Sequence, residues 1–158
     1  MTRCYSCEGE QRLDDLPDRE RVWVGEHWRV AHAFGTSLPG WLVAVPRRHT
    51  TRIAEHTAEE AAELGSLLVA TSQALEAVTG CAKTYVAQFA EAEGFSHVHF
   101  HVVPRPPDLP PDRRGPAVFA YLTGTEDDGI GAPERDELSR RLSAALGDLL
   151  TPSDPRSG

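Results

Sequence analysis

Apolar and β-branched residues near the start of the chain fall into short runs separated by turn residues. Val22–Val24 and Trp28–His32 are two such runs on either side of Gly25, and this arrangement predicts a hairpin. A third apolar run, Trp41–Pro46, follows a Leu-Pro-Gly turn and ends at a proline. The three runs predict the first strands of an antiparallel sheet.

A strong helical pattern occupies the middle of the chain. Thr57 and Glu60 have the spacing of a capping box, in which each side chain satisfies a free backbone amide of the first turn. Leucines follow at helical spacing as far as Gly80, a residue suited to end a helix. Pro133 opens a second amphipathic pattern, which predicts a C-terminal helix over 133–150.

The remaining segments complete the picture of the fold. Thr84–Phe89 is β-prone. In His97–Val103, histidines alternate with apolar residues before Pro104. Because strands precede, separate and follow the long helix, the pattern predicts an α+β fold with a mostly antiparallel sheet of about five strands. The acidic residues 1–20 predict an exposed lead-in, and six prolines within 104–116 predict an extended loop without helix.

Length, composition and charge narrow the class of protein. The chain has 158 residues, 40% of them hydrophobic, with no repeat or long linker, which predicts one domain over 1–150 and a frayed tail over 151–158. A net charge of −8 argues against binding to a nucleic acid polymer or an anionic membrane. No apolar run approaches the ~20 residues of a membrane span, and the N-terminus lacks a signal-peptide pattern, so we expect a cytoplasmic location.

The most informative segment is a row of three alternating histidines. Side chains alternate sides along a strand, so His97, His99 and His101 are predicted to share one face while apolar residues pack on the core. Such a row can bind a metal, or it can supply a nucleophile and anion-stabilising donors to a phosphate. A cupin-like metal site also uses this spacing, but cupins are all-β and the predicted long helix argues against one.

The placement of charge favours the phosphate interpretation. No acidic residue lies between Glu26 and Glu55, where four arginines fall. None lies between Glu93 and Asp108 either, and Arg105 falls in that window. A negatively charged chain can therefore still hold a pocket that attracts anions. The alternative explanation is that short apolar strands carry few charges of either sign.

Two of the three cysteines form a closely spaced pair near the start of the chain, and the third stands alone. Cys4 and Cys7 have C-x-x-C spacing, which in a reducing compartment indicates a metal or redox pair more than a disulfide. The alternative is a pair of free thiols near a terminus with no role. Cys81 stands alone and is predicted to be a small core residue. Three further histidines are predicted to be structural or surface residues: His27, His32 and His56.

The segment His97–Val103 resembles the motif of the histidine triad (HIT) family, His-φ-His-φ-His-φ-φ with φ apolar, at all seven positions. Upstream, the turn, strand and Pro-Arg-Arg-His sequence over 38–49 are similar to the family's corresponding segment, and the long helix lies where the family has one. The likeness covers about residues 4–105 and points to bacterial members described as diadenosine polyphosphate hydrolase-like. It implies the HIT fold and, as is common in the family, a homodimer.

The resemblance also implies a function. It indicates a nucleotidyl hydrolase or transferase that acts at the α-phosphate of a dinucleoside polyphosphate or related nucleotide conjugate. His99 matches the family nucleophile, which forms a covalent nucleotidyl-imidazole. His101 would hold a phosphate oxygen, and His97 completes the catalytic triad of histidines. Substrate contacts are expected from three residues around the triad: Gln88, Ser96 and Arg105.

Some HIT proteins hold a structural zinc ion with an N-terminal C-x-x-C, the histidine of the Pro-basic-basic-His segment and the first triad histidine. The matching residues here are Cys4, Cys7, His49 and His97. Two cysteines and two histidines are a standard closed, tetrahedral zinc set. The resemblance therefore implies a zinc site that attaches the N-terminus to the histidine strand, and no organic cofactor. The alternative is that His49 only ends a strand and that Cys4 and Cys7 are free thiols, as in metal-free relatives.

The sequence departs from the family pattern where the nucleoside is recognised. Many members have an acidic or amide residue for the ribose hydroxyls at the position of Ala33, and a histidine at the position of Trp41. Residues 92–96 replace the amide-containing sequence that usually precedes the triad. The nucleobase and leaving group are therefore left open. The second hypothesis is a non-catalytic nucleotide-binding sensor or partner-binding module with the same fold, and the third is transfer to a sugar phosphate or another acceptor.

Overall fold

A computed structural model of the protein describes residues 4–123, 125 and 129–151. Five strands lie in this part of the chain: β1 Trp23–Val24, β2 Trp28–His32, β3 Leu42–Pro46, β4 Lys83–Gln88 and β5 Phe100–Arg105. The α-helices are α1 Tyr5–Gln11, α2 Ala58–Thr79 and α3 Ala132–Leu150. Short 3-10 helices occupy Leu13–Asp15, Asp18–Glu20, Ile53–Glu55, Pro111–Arg113 and Gly115–Tyr121. The predicted tail lies outside the described residues from position 152 onward.

The five strands form one antiparallel sheet, as the pattern predicted, and their order is β1-β2-β3-β5-β4. The hairpin prediction is confirmed, because β1 pairs with β2 and Gly25 N–H donates to the Trp28 carbonyl oxygen at 2.8 Å. Strand β5 lies between β3 and β4, so His101 is on an interior strand of the sheet. No helix among the described residues is long and apolar enough to cross a membrane.

Helix α2 has the predicted beginning and end. The Thr57 hydroxyl accepts from Glu60 N–H at 3.2 Å, and the Glu60 carboxylate accepts from Thr57 N–H at 2.9 Å. Gly80 ends the helix at φ 71°, a conformation that favours glycine. The helices α2 and α3 cover one face of the sheet, with a core that includes Trp28, Val30, Leu42, Val102, Leu67, Leu75, Leu142 and Leu146. Cys81 is buried in this core, as predicted.

The N-terminal segment corrects part of the expectation of an exposed lead-in: Asp14, Asp15 and Asp18 are exposed, but Glu10 and Glu20 are not. Helix α1 packs on the body of the protein through Glu10, which forms ion pairs with Arg47 and with the buried Arg29. Glu20 is also buried and lies beside Arg29. An acidic run in a sequence is typical of a solvent-exposed surface. Here the carboxylates of Glu10 and Glu20 instead neutralise the charge of arginines on and beside the sheet.

The proline-rich segment 104–116 is also different from its prediction. The 3-10 helices that begin at Pro111 and Gly115 have proline in their first turn, where the missing N–H breaks no helical hydrogen bond. This segment packs on the face of the sheet opposite α2. The apolar cluster there contains Ala33, Leu38, Trp41, Val103, Leu109 and Val118.

Strand β5 begins three residues later than His97 and extends past the predicted end to Arg105. Its pairing with β3 stops at Val102. The Arg105 carbonyl accepts from Ala82 beside β4, so the nitrogen of Pro104 points to the side where pairing has ended. A proline is tolerated there because no neighbouring strand needs its N–H.

His32 on β2 is a buried histidine with both ring nitrogens engaged. Its Nδ1 lies 2.7 Å from the Ala33 carbonyl oxygen, and Gly40 N–H donates to its Nε2 at 3.0 Å. A carbonyl oxygen only accepts, so Nδ1 carries the proton and the ring is neutral. Burial lowers the pKa of His32 to about 4.

We expect His32 to reduce the free energy of unfolding as the pH falls from about 6.5 to about 4. In this window the unfolded chain binds a proton that the folded protein does not, so lowering the pH favours unfolding by about 3 kcal/mol in total. Urea denaturation of wild type and His32→Gln at pH 7 and pH 4.5 tests this. Glutamine keeps a donor and an acceptor without titrating. Between pH 7 and pH 4.5 the free energy of unfolding should therefore fall by about 2 kcal/mol less in the variant than in wild type. An equal fall in the free energy of unfolding in both proteins would contradict the assignment of His32 as a buried neutral histidine.

Candidate active site and metal centre

The face of the sheet opposite α2 forms the floor of a cavity of about 350 Å³. Side chains alternate along each strand, so one set of positions on neighbouring strands faces it. The floor consists of Arg29 and Ala31 from β2, Ala33 directly after it, Val43 and Val45 from β3, and His99 and His101 from the histidine segment. The walls come from the start of α1, from Glu20 and from the segment 89–95. The cavity therefore brings the N-terminus and the histidines together.

His99 lines the cavity and is held by the backbone of its own segment. Its Nδ1 lies 2.9 Å from the His97 carbonyl oxygen. Since that oxygen can only accept, Nδ1 carries the proton, and the lone pair of the neutral ring is on Nε2. A half-buried imidazole in this tautomer has a nucleophilic nitrogen and a fixed ring orientation.

His101 lines the same cavity but is more deeply buried, with 6% of its surface exposed. Trp41 Nε1–H donates to its Nδ1 at 3.1 Å. The ring makes edge contacts with His99 at 4.9 Å and Phe119 at 5.1 Å between centroids. Burial, and then the adjacent His99, lower the pKa of His101 to about 4. The ring is therefore neutral near pH 7.

Cys4, Cys7, His49 and His97 meet beside the cavity, with their ligand atoms all within 4.8 Å of one another. The two histidine Nδ1 atoms are 3.3 Å apart. The distances from Sγ to Nδ1 are between 3.2 and 3.7 Å. A tetrahedral zinc ion with ordinary bond lengths needs about 3.3 Å between two nitrogens and about 3.5 Å between sulfur and nitrogen. The four side chains therefore have the spacing of a zinc site.

The protonation chemistry of the cluster also suits a cation. His97 Nε2 lies 2.9 Å from the Pro46 carbonyl oxygen, which places its proton there and leaves Nδ1 as a ligand. Burial lowers the pKa of His97 to about 4, so the ring is neutral. Burial and the neighbouring Cys4 thiol raise the pKa of Cys7 to about 11. Two adjacent thiolates thus need a compensating positive charge, which a metal ion supplies.

Sequence reasoning missed an aromatic wall of the cavity. The rings of Tyr5, Phe34 and Phe95 contact one another with centroid distances of 5.4, 5.4 and 5.9 Å. The Tyr5 hydroxyl also donates to Glu20 at 2.7 Å. These aromatic residues share no sequence pattern, and the one available signal was that Tyr5 lies between the two cysteines. Such a wall suits a planar ring on a ligand.

The three predicted substrate contacts do not line this cavity in the described part of the chain. Gln88 pairs with Phe100 across β4 and β5, so it lies on the α2 face of the sheet. Ser96 is exposed, and Arg105 is at the far end of β5. Their role in substrate binding stays a prediction. Ala33 does line the cavity and brings no hydrogen-bonding side chain to it.

Comparison with known proteins gives no match to a family model and none to a curated protein. Solved structures do match. A zinc-bound histidine triad family protein from Mycobacterium smegmatis has a TM-score of 0.65 and 19% identity, with 92% of this chain and 94% of that chain covered. A hypothetical histidine triad nucleotide-binding protein from Sulfolobus tokodaii has a TM-score of 0.69 and 15% identity, with coverage of 92% and 93%.

A uridylyltransferase structure is similar as well, with a TM-score of 0.63 and 23% identity. The match covers 94% of this chain and 46% of that chain, so this chain spans about half the length of that protein. All three comparisons extend over nearly the whole of this chain, and its sheet is antiparallel with β5, the strand that carries His101, between β3 and β4. The chain therefore has the histidine triad fold predicted from the motif.

Proposed function

We propose that the protein is a nucleotidyl hydrolase or transferase that acts at the α-phosphate of a nucleotide conjugate, with His99 as the nucleophile. The hydrogen bond from His99 Nδ1 to the His97 carbonyl carries this proposal, because it leaves the Nε2 lone pair free for attack. The cavity beside His99 and the similarity to a histidine triad nucleotide-binding protein and a uridylyltransferase support it.

The proposed reaction has two displacements at phosphorus. The Nε2 lone pair of His99 forms a bond to phosphorus while the bond to the leaving oxygen breaks, and the leaving group takes the electron pair. The positive charge on the resulting imidazolium is stabilised by the His97 carbonyl at Nδ1. Water then attacks phosphorus, the electron pair of the N–P bond returns to Nε2, and the attacking water releases one proton to solvent. If another acceptor replaces water, the same steps give nucleotidyl transfer.

The rest of the cavity indicates how a nucleotide would lie. With the phosphate at His99 and His101, the nucleoside would extend over Val43 and Val45 toward the aromatic wall. Adjacent strands are about 4.8 Å apart, so crossing from β5 to β2 takes about 10 Å. That distance suits a ribose and a base. The neutral His101 would donate a hydrogen bond to a non-bridging oxygen and stabilise its developing charge.

We further propose that Cys4, Cys7, His49 and His97 hold a structural zinc ion. The match of their separations to tetrahedral geometry supports this, as does the similarity to a zinc-bound histidine triad protein. All four ligands are protein side chains, so the bound ion would stabilise the fold and would not activate water.

We also propose that residues 1–150 act as one domain that assembles as a homodimer. Strand β4 is an edge of the sheet, and it carries the exposed Val86 and is followed by the exposed Phe89. An unpaired edge with apolar side chains is a surface that a second copy can extend. Sedimentation equilibrium measures the mass directly, and a monomer at micromolar concentration would contradict the homodimer.

Rapid quench tests the proposed reaction. Wild-type protein is mixed with a panel of dinucleoside polyphosphates and nucleoside phosphoramidates, and the expected adduct is stable in base, labile in acid and located on His99 by mass spectrometry. Product analysis with and without a sugar phosphate separates transfer from hydrolysis.

The second candidate function is a nucleotide-binding sensor, which Ala33 favours because it offers no group to hold ribose hydroxyls for catalysis. Nucleotide binding by calorimetry, with neither adduct nor turnover across the panel, would favour the sensor and contradict the enzyme.

A further inference from the structure

Trp41 contacts His101, which lines the cavity, through the one polar atom of its side chain. Its side chain is fully buried, and its Nε1–H donates to His101 Nδ1 at 3.1 Å. An indole nitrogen is a donor only. The partner nitrogen must therefore hold a lone pair, and the proton of the neutral His101 ring must be on Nε2.

His99 and His101 thus have opposite tautomers. His99 keeps its proton on Nδ1 because it faces a carbonyl, whereas His101 keeps its proton on Nε2 because it faces an N–H. We infer that Trp41 is a positioning residue that holds His101 as an Nε2–H donor for the substrate phosphate. This inference rests on the proposed function for its role in the reaction, but the tautomer itself does not depend on it.

The same contact disfavours protonation of His101. An imidazolium would place an Nδ1–H against the Trp41 N–H, so the contact stabilises the neutral ring. On the flanking strands, Val43 and Ala87 lie opposite His101 and neither titrates. His99 is the adjacent titratable group. The charged residues that line the same cavity are Glu20, Arg29, Glu91 and Glu93.

Phe119 holds this arrangement from the other side. Its ring packs edge-on against Trp41 at 5.2 Å and against His101 at 5.1 Å. Phe119 belongs to the 3-10 helix Gly115–Tyr121, in the part of the chain that the motif does not cover. The C-terminal third therefore contributes to the site by fixing the indole that orients His101.

Nitrogen-15 NMR of histidine-labelled wild-type protein tests the tautomer directly. The expected result is a protonated Nε2 and an unprotonated Nδ1 on His101 across pH 6 to 9. A proton on Nδ1 of His101 in this range would overturn the inference, whatever the activity of the protein. Conversely, absence of an adduct on His99 would contradict the proposed reaction and leave the tautomer measurement standing.

Trp41→Phe removes the donor and keeps an aromatic ring. We expect His101 to populate both tautomers, the acid limb of the kcat/KM profile to move to higher pH, and kcat to fall about tenfold with KM nearly unchanged. Trp41→His, which can donate, should restore part of kcat. Trp23→Phe is the matched control on β1. An unchanged tautomer and pH profile in Trp41→Phe would overturn the inference, and if that variant does not fold, the wild-type spectrum decides.

Discussion

Replacing His99 with alanine is expected to lower kcat/KM by at least about 10³-fold, because it removes the atom that forms the covalent bond to phosphorus. The two other histidines that line the cavity cannot replace it. Both ring nitrogens of His32 are hydrogen-bonded, and His101 accepts from Trp41 at the nitrogen that carries its lone pair. Nucleotide affinity should change by less than about threefold, since most of the contact surface remains.

Steady-state kinetics with the most active substrate of the panel, and calorimetry with the corresponding nucleoside monophosphate, measure the two effects of this variant separately. His27→Ala is a matched control, because His27 lies in the β1–β2 turn and interacts with Glu26 and Glu63. It should retain wild-type kinetics. If His99→Ala kept more than a tenth of the activity, or if an adduct formed on another residue, His99 would not be the nucleophile.

Loss of the zinc ligands is the second change with a large expected effect. Cys4→Ser/Cys7→Ser should remove one equivalent of zinc and lower the melting temperature by about 10 °C, since binding at a thousand times Kd contributes about 4 kcal/mol to the folded state. Nucleotide Kd should also rise about tenfold, because Tyr5 and Ser6 lie between the two ligands and form part of the cavity wall.

The coupling between metal and cavity follows from shared residues. Cys4 precedes Tyr5, whose ring contacts Phe34 and Phe95, and His97 supplies both a ligand atom and the carbonyl that orients His99. Metal analysis, thermal unfolding and calorimetry measure the three effects.

Cys81→Ser makes the same chemical change in the core and is the matched control, with its zinc content expected to remain at one equivalent. Purified wild type without zinc, or a double variant that still binds one equivalent, would contradict the site.

Local pattern was sufficient for most of the fold. The capping box at Thr57, the glycine at position 80 and the period-two runs act within a few residues of themselves, and the helix and strands they predicted are present. The predictions failed where a polar side chain finds its hydrogen-bond or ion-pair partner in a different segment of the chain. Glu10 was expected to be exposed because its partners, Arg29 and Arg47, lie at least nineteen positions away in sequence.

The sequence by itself determined the fold class and the placement of His99 and His101 at one cavity, because the two-residue spacing of the motif is a local property. The tertiary structure decided which nitrogen of each histidine carries the proton, since a carbonyl meets one ring and an indole N–H meets the other. It also decided the aromatic wall, whose residues come from three separate segments. Contacts of this kind depend on which segments the sheet brings together, and no spacing along the chain encodes them.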